Sequence, residues 1–474
     1  MEKNMKFTKT INNIIYAFTA QGISFVLSVM MSLVVPKILG VQEFSYWQLF
    51  VFYTSYVGFF LFGLNDGIYL RIGGMEYESL DSKSVASQFW IAFLFQCILA
   101  GVLISYSLLF INDWNRSFVF ITTAIYLPLN NASGFIGYIF QAVNKTKIYS
   151  LSVIIDRLCF IVVVIILLIL KCDSFIWFIV LNLIGKLFAL MYCIWKGRSI
   201  IFVRIESIKK TLKEILINVS VGVNLMFSNI ASLLILGIGR FIVDGKWGIG
   251  AFGRFSFSLT LATFLLSFIS QASMVLFPAL RQTNETQQMK FYWISRNLLG
   301  VVLAGFLLAY MPLNYILNLW LPAYKESLQY LIILLPLCTY DGKMSMICTT
   351  YFKVLRKEKL LLKINLISLT LSVILTLVAS YMINNIYAVA ISMLLAVAFR
   401  SIISDIYLSK IMGGSVLKNI VYESLLVAIF MVCTWFINPV GGFIIYLVSY
   451  GTYLIISRKK LISIVCSAKK YLKA

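Results

Sequence analysis

Apolar residues run along this chain in long unbroken blocks, separated by short polar segments. Fourteen blocks stand out, at about 11–36, 45–69, 86–110, 117–142, 148–170, 174–195, 215–242, 250–279, 295–319, 327–352, 361–382, 386–408, 418–437 and 440–457. At 1.5 Å per residue each is long enough to cross a hydrocarbon core of about 30 Å. Lipid offers the backbone no hydrogen-bond partners, so these blocks must be helices. An outer-membrane barrel would need short alternating strands, which continuous runs exclude. The longest charged interruption, Lys196–Glu214, holds Lys196, Arg198, Arg204, Lys209, Lys210 and Lys213 against Glu206 and Glu214. It separates six blocks from eight and reads as a connector between two helical bundles. Lys3, Lys6 and Lys9 precede the first block. That block is too long for a signal-peptide core and lacks a small-residue cleavage site, so it reads as a first span and not as a cleaved leader.

The loops fix an expected orientation. With the N-terminus inside, 29 of the 40 Lys and Arg fall in inner segments and 5 in outer ones. That bias places both termini in the cytoplasm, and it needs an even number of spans. Trp47, Trp114, Trp177, Trp247, Trp320 and Trp435 fall near outer ends of spans, and Trp90, Trp195 and Trp293 near inner ends. Those are the positions of an aromatic belt. The expected organisation is a first bundle over 1–195 (helices 1–6), the connector over 196–214, a second bundle over 215–410 (helices 7–12), and helices 13 and 14 with a basic tail over 411–474. No loop is large enough for a catalytic or nucleotide-binding domain, and GxxxxGK[ST] is absent.

Composition narrows the chemistry. The chain is 61% hydrophobic and 12% charged, against about 25% charged residues in soluble domains. The net charge of +22 follows from the basic inner loops and carries no RNA- or DNA-binding signature. Eight Cys occur without a CxxC pair, and there is no His. No metal site, no cofactor and no catalytic residue is expected from this set.

Charge inside the spans is where function is expected, because each such group costs about 2.5–3.5 kcal/mol at the bilayer centre. Six basic residues lie there: Arg157, Lys186, Arg240, Arg254, Lys343 and Arg400. The acidic residues in or near spans are Asp66, Asp156, Asp341 and Asp405, with Asp244 at an outer end. Arg240 and Asp244 share a helix face, and Arg400 and Asp405 are expected to share the inner end of helix 12. Asp156 and Arg157, like Asp341 and Lys343, point in different directions and need partners on other helices. The cations form a candidate substrate chamber suited to a diphosphate or an acidic sugar. Asp66, Asp156, Asp341 and Asp244 are candidates for coupling or ion pairing. Pro128 and Pro336 lie inside spans and should kink them. The glycines from Gly237 to Gly253 bracket the hairpin between helices 7 and 8.

Four places carry a family resemblance: Pro36-Lys37-Ile38-Leu39-Gly40 followed by Phe44; Phe62-Gly63-Leu64-Asn65-Asp66-Gly67-Ile68-Tyr69-Leu70-Arg71; Gln141-Ala142-Val143-Asn144-Lys145; and Arg240, Asp244 and Gly250-x-Phe252. With the helix count and the central connector, the whole chain resembles the polysaccharide repeat-unit flippases of the multidrug/oligosaccharidyl-lipid/polysaccharide exporter superfamily. The resemblance implies an all-α membrane protein of about fourteen helices, with two pseudo-symmetric six-helix lobes in a V and two appended helices. It implies no enzyme. It implies a transporter that moves a polyprenyl (undecaprenyl) diphosphate-linked oligosaccharide, an O-antigen, capsule or exopolysaccharide precursor, across the bacterial cytoplasmic membrane by alternating access. Its implied partners are that lipid, the surrounding bilayer, and the polymerase and chain-length proteins of a polysaccharide pathway, with no nucleic acid. In fourteen-helix relatives the last two helices offer a lipid groove, which Phe443, Tyr446 and Tyr450 could line, although ordinary lipid-facing aromatics are the simpler reading of these three. A drug antiporter of the same superfamily would favour unpaired intramembrane carboxylates over cations. A membrane glycan polymerase would need a sizeable outer loop, which this chain lacks.

Overall fold

The computed structural model describes Tyr16 and residues 19–281 and 284–473. Lys3, Lys6 and Lys9 and the start of the first span lie outside the described residues, as do the side chains of Pro278 and of the tail from Lys459. Among the described residues every regular element is helical. Eleven helices are long and apolar enough to cross a membrane, and twelve if one bent pair is a single span. In the first half these are α1 (Thr19–Leu61), α3 (Ser82–Phe110), α4 (Trp114–Ala142), α5 (Thr146–Ile169) and α6 (Phe175–Lys196), with a short α2 (Leu64–Ile72) between α1 and α3. Then come α7 (Ile208–Arg281), α8 (Glu285–Trp320), the bent pair α9 (Pro322–Leu334 and Leu337–Val354), α10 (Glu358–Met382), α11 (Ile386–Ile411), α12 (Leu417–Phe436) and α13 (Pro439–Lys473).

The two longest helices, α1 and α7, are each broken at a glycine. In α1 the break is Gly40 (φ 68°, ψ −179°), and in α7 it is Gly248 (φ 82°, ψ 178°). That backbone region is open essentially to glycine alone. Four residues beyond each glycine a phenylalanine, Phe44 or Phe252, is completely buried. Counting each arm as a crossing brings the number of spans to the fourteen that the apolar pattern predicts.

The chain divides into two compact units, Met1–Ile230 and Ala231–Ala474. The same local devices occur in both. Pro128 in α4 and Pro336 in α9 stand at one and the same separation as Gly40 and Gly248. Pro336 marks the 50° bend of the α9 pair. Each of these helices then ends alike. Asn144 (φ 57°) and Arg356 (φ 52°) are left-handed, and the next N–H reaches back five residues, Lys145 to the Phe140 carbonyl and Lys357 to that of Phe352, both at 2.7 Å. This is a Schellman ending, which satisfies carbonyls that a helix terminus leaves open. Helix starts are capped by side chains: Asp81 accepts from the Ser84 N–H, Asp113 from Asn115 and Asn385 from Tyr387.

Apolar packing holds each unit. In the first, Leu64 and Ile68 of α2 meet Phe89 of α3 and Phe135, Ile136 and Phe140 of α4. In the second, Tyr292, Leu299 and Leu303 of α8 meet Ile347 and Tyr351 of α9, Leu361 of α10 and Leu408 of α11. A buried ion network runs through this second core. Arg296 of α8, fully buried, holds Asp405 of α11 at 2.9 Å and lies 3.4 Å from Glu423 of α12. Tyr292 donates to the other Asp405 oxygen at 3.0 Å. Lys343 of α9 pairs with the second Glu423 oxygen. Arg400 of α11 binds the Asp341 carboxylate and the Ser232 hydroxyl.

Two expectations are corrected here. Arg400 and Asp405 do not share a site: five residues apart on a helix of 3.6 per turn, they face different neighbours. Arg296, counted among the cations of the inner segments, is a buried helix residue: α8 begins at Glu285, before the apolar block at 295–319. A third point concerns Tyr446. It is 1% exposed and its hydroxyl donates to the Ala304 carbonyl at 2.7 Å, while Tyr450 donates to that of Val301. These hydroxyls fasten α13 to α8, and Tyr446, with Phe443, lines a small cleft against α8 and α12.

Two outcomes follow for thermal melting of the detergent-solubilised protein. Gly40→Ala and Gly248→Ala should each lower stability by about 1–3 kcal/mol, whereas Gly245→Ala, whose added Cβ meets nothing within 4 Å, should not. Glu423→Leu should cost about 3–5 kcal/mol, since Lys343 loses its carboxylate while Arg296 keeps Asp405. Adding Lys343→Met should restore part of that loss in a double-mutant cycle.

Candidate functional site

The first unit encloses a cavity of about 230 Å³ walled by α2, α4, α5, α6 and the last turn of α1. Its shape comes from close helix approaches. A Cβ on Gly185 of α6 would sit 3.2 Å from the Asp156 carbonyl of α5, so glycine there lets α5 and α6 run side by side. The end of α1 is tied to the wall by carboxamides: Asn131 donates to the Val57 carbonyl at 2.9 Å and to Gln96 at 2.7 Å, and Gln96 donates to the Phe60 carbonyl at 2.7 Å.

Carboxamides and hydroxyls dominate the surface. Asn65, Asn130 and Asn131 line it, together with Ser133 and Ser152 and the phenols of Tyr138 and Tyr149. Asn130 accepts from the Tyr126 hydroxyl at 3.3 Å. Asn65 Oδ1 is buried with no hydrogen-bond partner among the described residues. Three charged groups reach the same cavity: Asp66, Asp156 and Lys186. Lys186 Nζ lies 3.7 Å from Asp156 Oδ2, and 5.8 Å from the centre of the Tyr126 ring. Arg157, next in sequence to Asp156, does not line the cavity, and its Nε is buried without a hydrogen-bond partner among the described residues. The site can therefore present many neutral hydrogen-bonding groups, two aromatic rings and one ion pair to a bound molecule.

The structure brings Asp66, Asp156 and Lys186 together and leaves the other candidates elsewhere. Lys343, Arg400 and Asp341 belong to the ion pairs of the second unit described above. Arg254 lies 3.1 Å from Glu326. Arg240 donates to the Ser256 hydroxyl at 3.1 Å and sits 5.2 Å over the Phe252 ring, and Asp244 is buried one turn further on. Interior charge is closer to balance than the count within spans implies, because Glu326 and Glu423, outside that count, take Arg254 and Lys343. Sequence reasoning missed the neutral lining. Its signals were present: Asn130-Asn131 follows Pro128 inside an apolar run, and Glu423 is a lone carboxylate in another. Among the described residues no group of three or more Cys, Asp or Glu could hold a metal ion.

With this geometry in hand, comparison with known proteins is informative. The chain has the fold of the lipid II flippase MurJ in an inward closed conformation, with a TM-score of 0.69 and 12% identity over 95% of this chain and 100% of that one. It is similar to a multidrug resistance MATE family transporter of the MOP superfamily in its inward-facing conformation, with a TM-score of 0.56 and 13% identity over 89% of this chain and 99% of that one. The outward-facing conformation of a MATE family transporter of that superfamily gives 0.54 and 12% over 85% and 94%. No curated protein matches in sequence. Residues 10–284 match the family described as polysaccharide biosynthesis protein. With eleven or twelve helices among the described residues long and apolar enough to cross a membrane, the chain is a multi-pass membrane protein, and it belongs to the polysaccharide biosynthesis protein family.

Proposed function

We propose that this protein is a flippase for a polyprenyl-diphosphate-linked oligosaccharide, the precursor of a surface polysaccharide, and that it catalyses no covalent chemistry. The observation that carries the reading is the cavity of the first unit, set among membrane-crossing helices and lined by amides and hydroxyls. A sugar ring presents hydroxyls on its edges and C–H groups on its faces. Asn65, Asn130, Ser133 and Ser152 match the former, and the rings of Tyr138 and Tyr149 match the latter. At about 230 Å³ the space falls below the roughly 300–1,000 Å³ of sites for drug-sized ligands, so it takes a single ring of the oligosaccharide at a time. Apart from those two rings its apolar lining is confined to small groups such as Val153 and Ala189, and amides and hydroxyls make up much of the rest, which supports a sugar over an aromatic drug cation. Lys186 and Arg157 supply positive charge beside the cavity for the diphosphate, while the polyprenyl tail stays in lipid. In this reading the protein sits in the bacterial cytoplasmic membrane with both termini in the cytoplasm, and hands its cargo to a polymerase outside.

A strain lacking the gene should accumulate lipid-linked oligosaccharide and lose surface glycan, both restored by the intact chain. Lys186→Met and Asn130→Leu should each insert normally and cut surface glycan at least ~10-fold, the equivalent of 1.4 kcal/mol. Lipid extraction with glycan immunoblotting measures both quantities. Full export by both variants would remove the cavity from the mechanism, and no accumulation in the deletion strain would remove the flippase.

A further inference from the structure

The stretch Phe62–Arg71 does more than wall the cavity. Helix α2 is nine residues long and is set between two bends. Phe62 (φ 52°) and Gly63 (φ 83°) precede it in left-handed backbone, and Gly73 and Gly74 (φ 92°) follow it. It lies antiparallel on the first arm of α7 in a single register. Gly63 faces Gly222, Gly67 faces Asn218 and Arg71 faces Glu214, so four residues forward on α2 match four back on α7.

The first two rungs are backbone against backbone. A Cβ on Gly63 would stand 2.8 Å from the Gly222 carbonyl carbon, one on Gly67 would overlap the Asn218 carbonyl oxygen, and one on Gly222 would overlap the Gly63 oxygen. The third rung is polar. Arg71 Nη1 donates to Glu214 at 3.1 Å and to Asn218 Oδ1 at 2.7 Å, and Asn218 Nδ2 donates to Gln88 of α3 at 2.7 Å. The side chains of Arg71 and Glu214 are 37% and 31% exposed, so water can take over either charge when the pair parts. Opening the first two rungs uncovers backbone already bonded within its own helix. This contact is therefore exact in shape yet leaves no stranded buried charge when it opens. Asn65 and Asp66, on the same short helix, line the cavity.

We propose that α2 is a releasable latch on α7: closed in this structure, it comes off α7 once in each transport cycle and carries Asn65 and Asp66 with it. The cavity wall is then remade each time the latch moves, which couples the latch to the ligand. This inference rests on the transport reading above.

The test places Arg71→Cys and Glu214→Cys in one chain whose accessible native cysteines are replaced by serine. A short bis-methanethiosulfonate reagent joins the pair, and reductant releases it. The joined chain should lose surface-glycan export at least ~10-fold and recover it on reduction, while single-cysteine chains treated alike keep it. Export unchanged in the joined chain would overturn the latch. Spin labels at the same two positions in purified protein give a readout that needs no export. Two distance populations would support the latch, and one short population under all conditions would refute it. If the intact chain fails to restore glycan to a deletion strain, the transport reading falls, and the label distances still decide whether α2 moves.

Discussion

A hydrocarbon solvent leaves a charged side chain no way to be satisfied except by another part of the protein. Much of this structure follows from that constraint. Lys186 meets Asp156, Lys343 meets Glu423, Arg296 meets Asp405 and Glu423, and Arg400 meets Asp341. Every one of these pairs joins two different helices, because a helix turns neighbouring positions away from each other and a cation cannot reach the residue beside it. The pairs thus act as registry marks between helices that lipid, as apolar as their own side chains, would not otherwise align. In the second unit the marks are chained through Arg296, so α8, α9, α11 and α12 are positioned by one connected network. The same network explains Gly300 of α8, where a Cβ would overlap the Glu423 carboxylate.

Pairing also decides where a ligand finds open hydrogen-bonding capacity. The second unit pairs its buried charges with one another. Its cluster of Arg296, Lys343, Asp405 and Glu423 has equal numbers of each sign and adjoins only a small, mostly apolar space between α8, α9 and α12. The first unit differs. Its cavity holds the Lys186–Asp156 pair and the Asp66 carboxylate and surrounds them with amides and hydroxyls, of which Asn65 Oδ1 has no partner among the described residues. The difference lies in the space: the polar groups of the first unit face a cavity of about 230 Å³, whereas the ion cluster of the second adjoins almost none, and that separates a binding cavity from a structural cluster.

How much of this was readable beforehand depended on range along the chain. Span positions, the bend at Pro336 and the turn Gln141–Lys145 are local matters of hydropathy and backbone chemistry, and they stood in the sequence. The aromatic reading of the nine tryptophans was local too, but it missed that Trp90 and Trp293 each donate their indole N–H to a carbonyl far along the chain, of Ile201 and Met412. Pair identities were less legible. Asp341 and Lys343 could be seen to need partners on other helices, yet nothing local names Arg400 and Glu423. Arg296, at the edge of the block 295–319, was counted with the inner segments because nothing local shows its partners Asp405 and Glu423 on other helices. The cavity was hidden for a different reason. Asn, Ser and Tyr in an apolar run are unremarkable singly, and only the fold shows that they converge.

The two helix breaks and the short α2 suggest why such a protein can change shape without unfolding. Within lipid, a helix can bend only where its freed backbone groups are still satisfied. Gly40 and Gly248 supply sharp bends at the ends of apolar arms, and Phe62–Gly63 and Gly73–Gly74 supply them on both sides of α2. Between these points the chain runs as helix. Motion is then confined to a few residues while ion pairs hold the rest in register. A contact made of glycine backbones suits such motion, because small residues permit close approach without interlocking side chains that would have to be pulled apart. The exposed Arg71–Glu214 pair at its rim orients the contact without fixing it, since a solvated ion pair contributes only about 0–1 kcal/mol. The rigid parts of the chain and its movable part are thus distinguished by the same criterion, namely how much charge is buried when the contact forms.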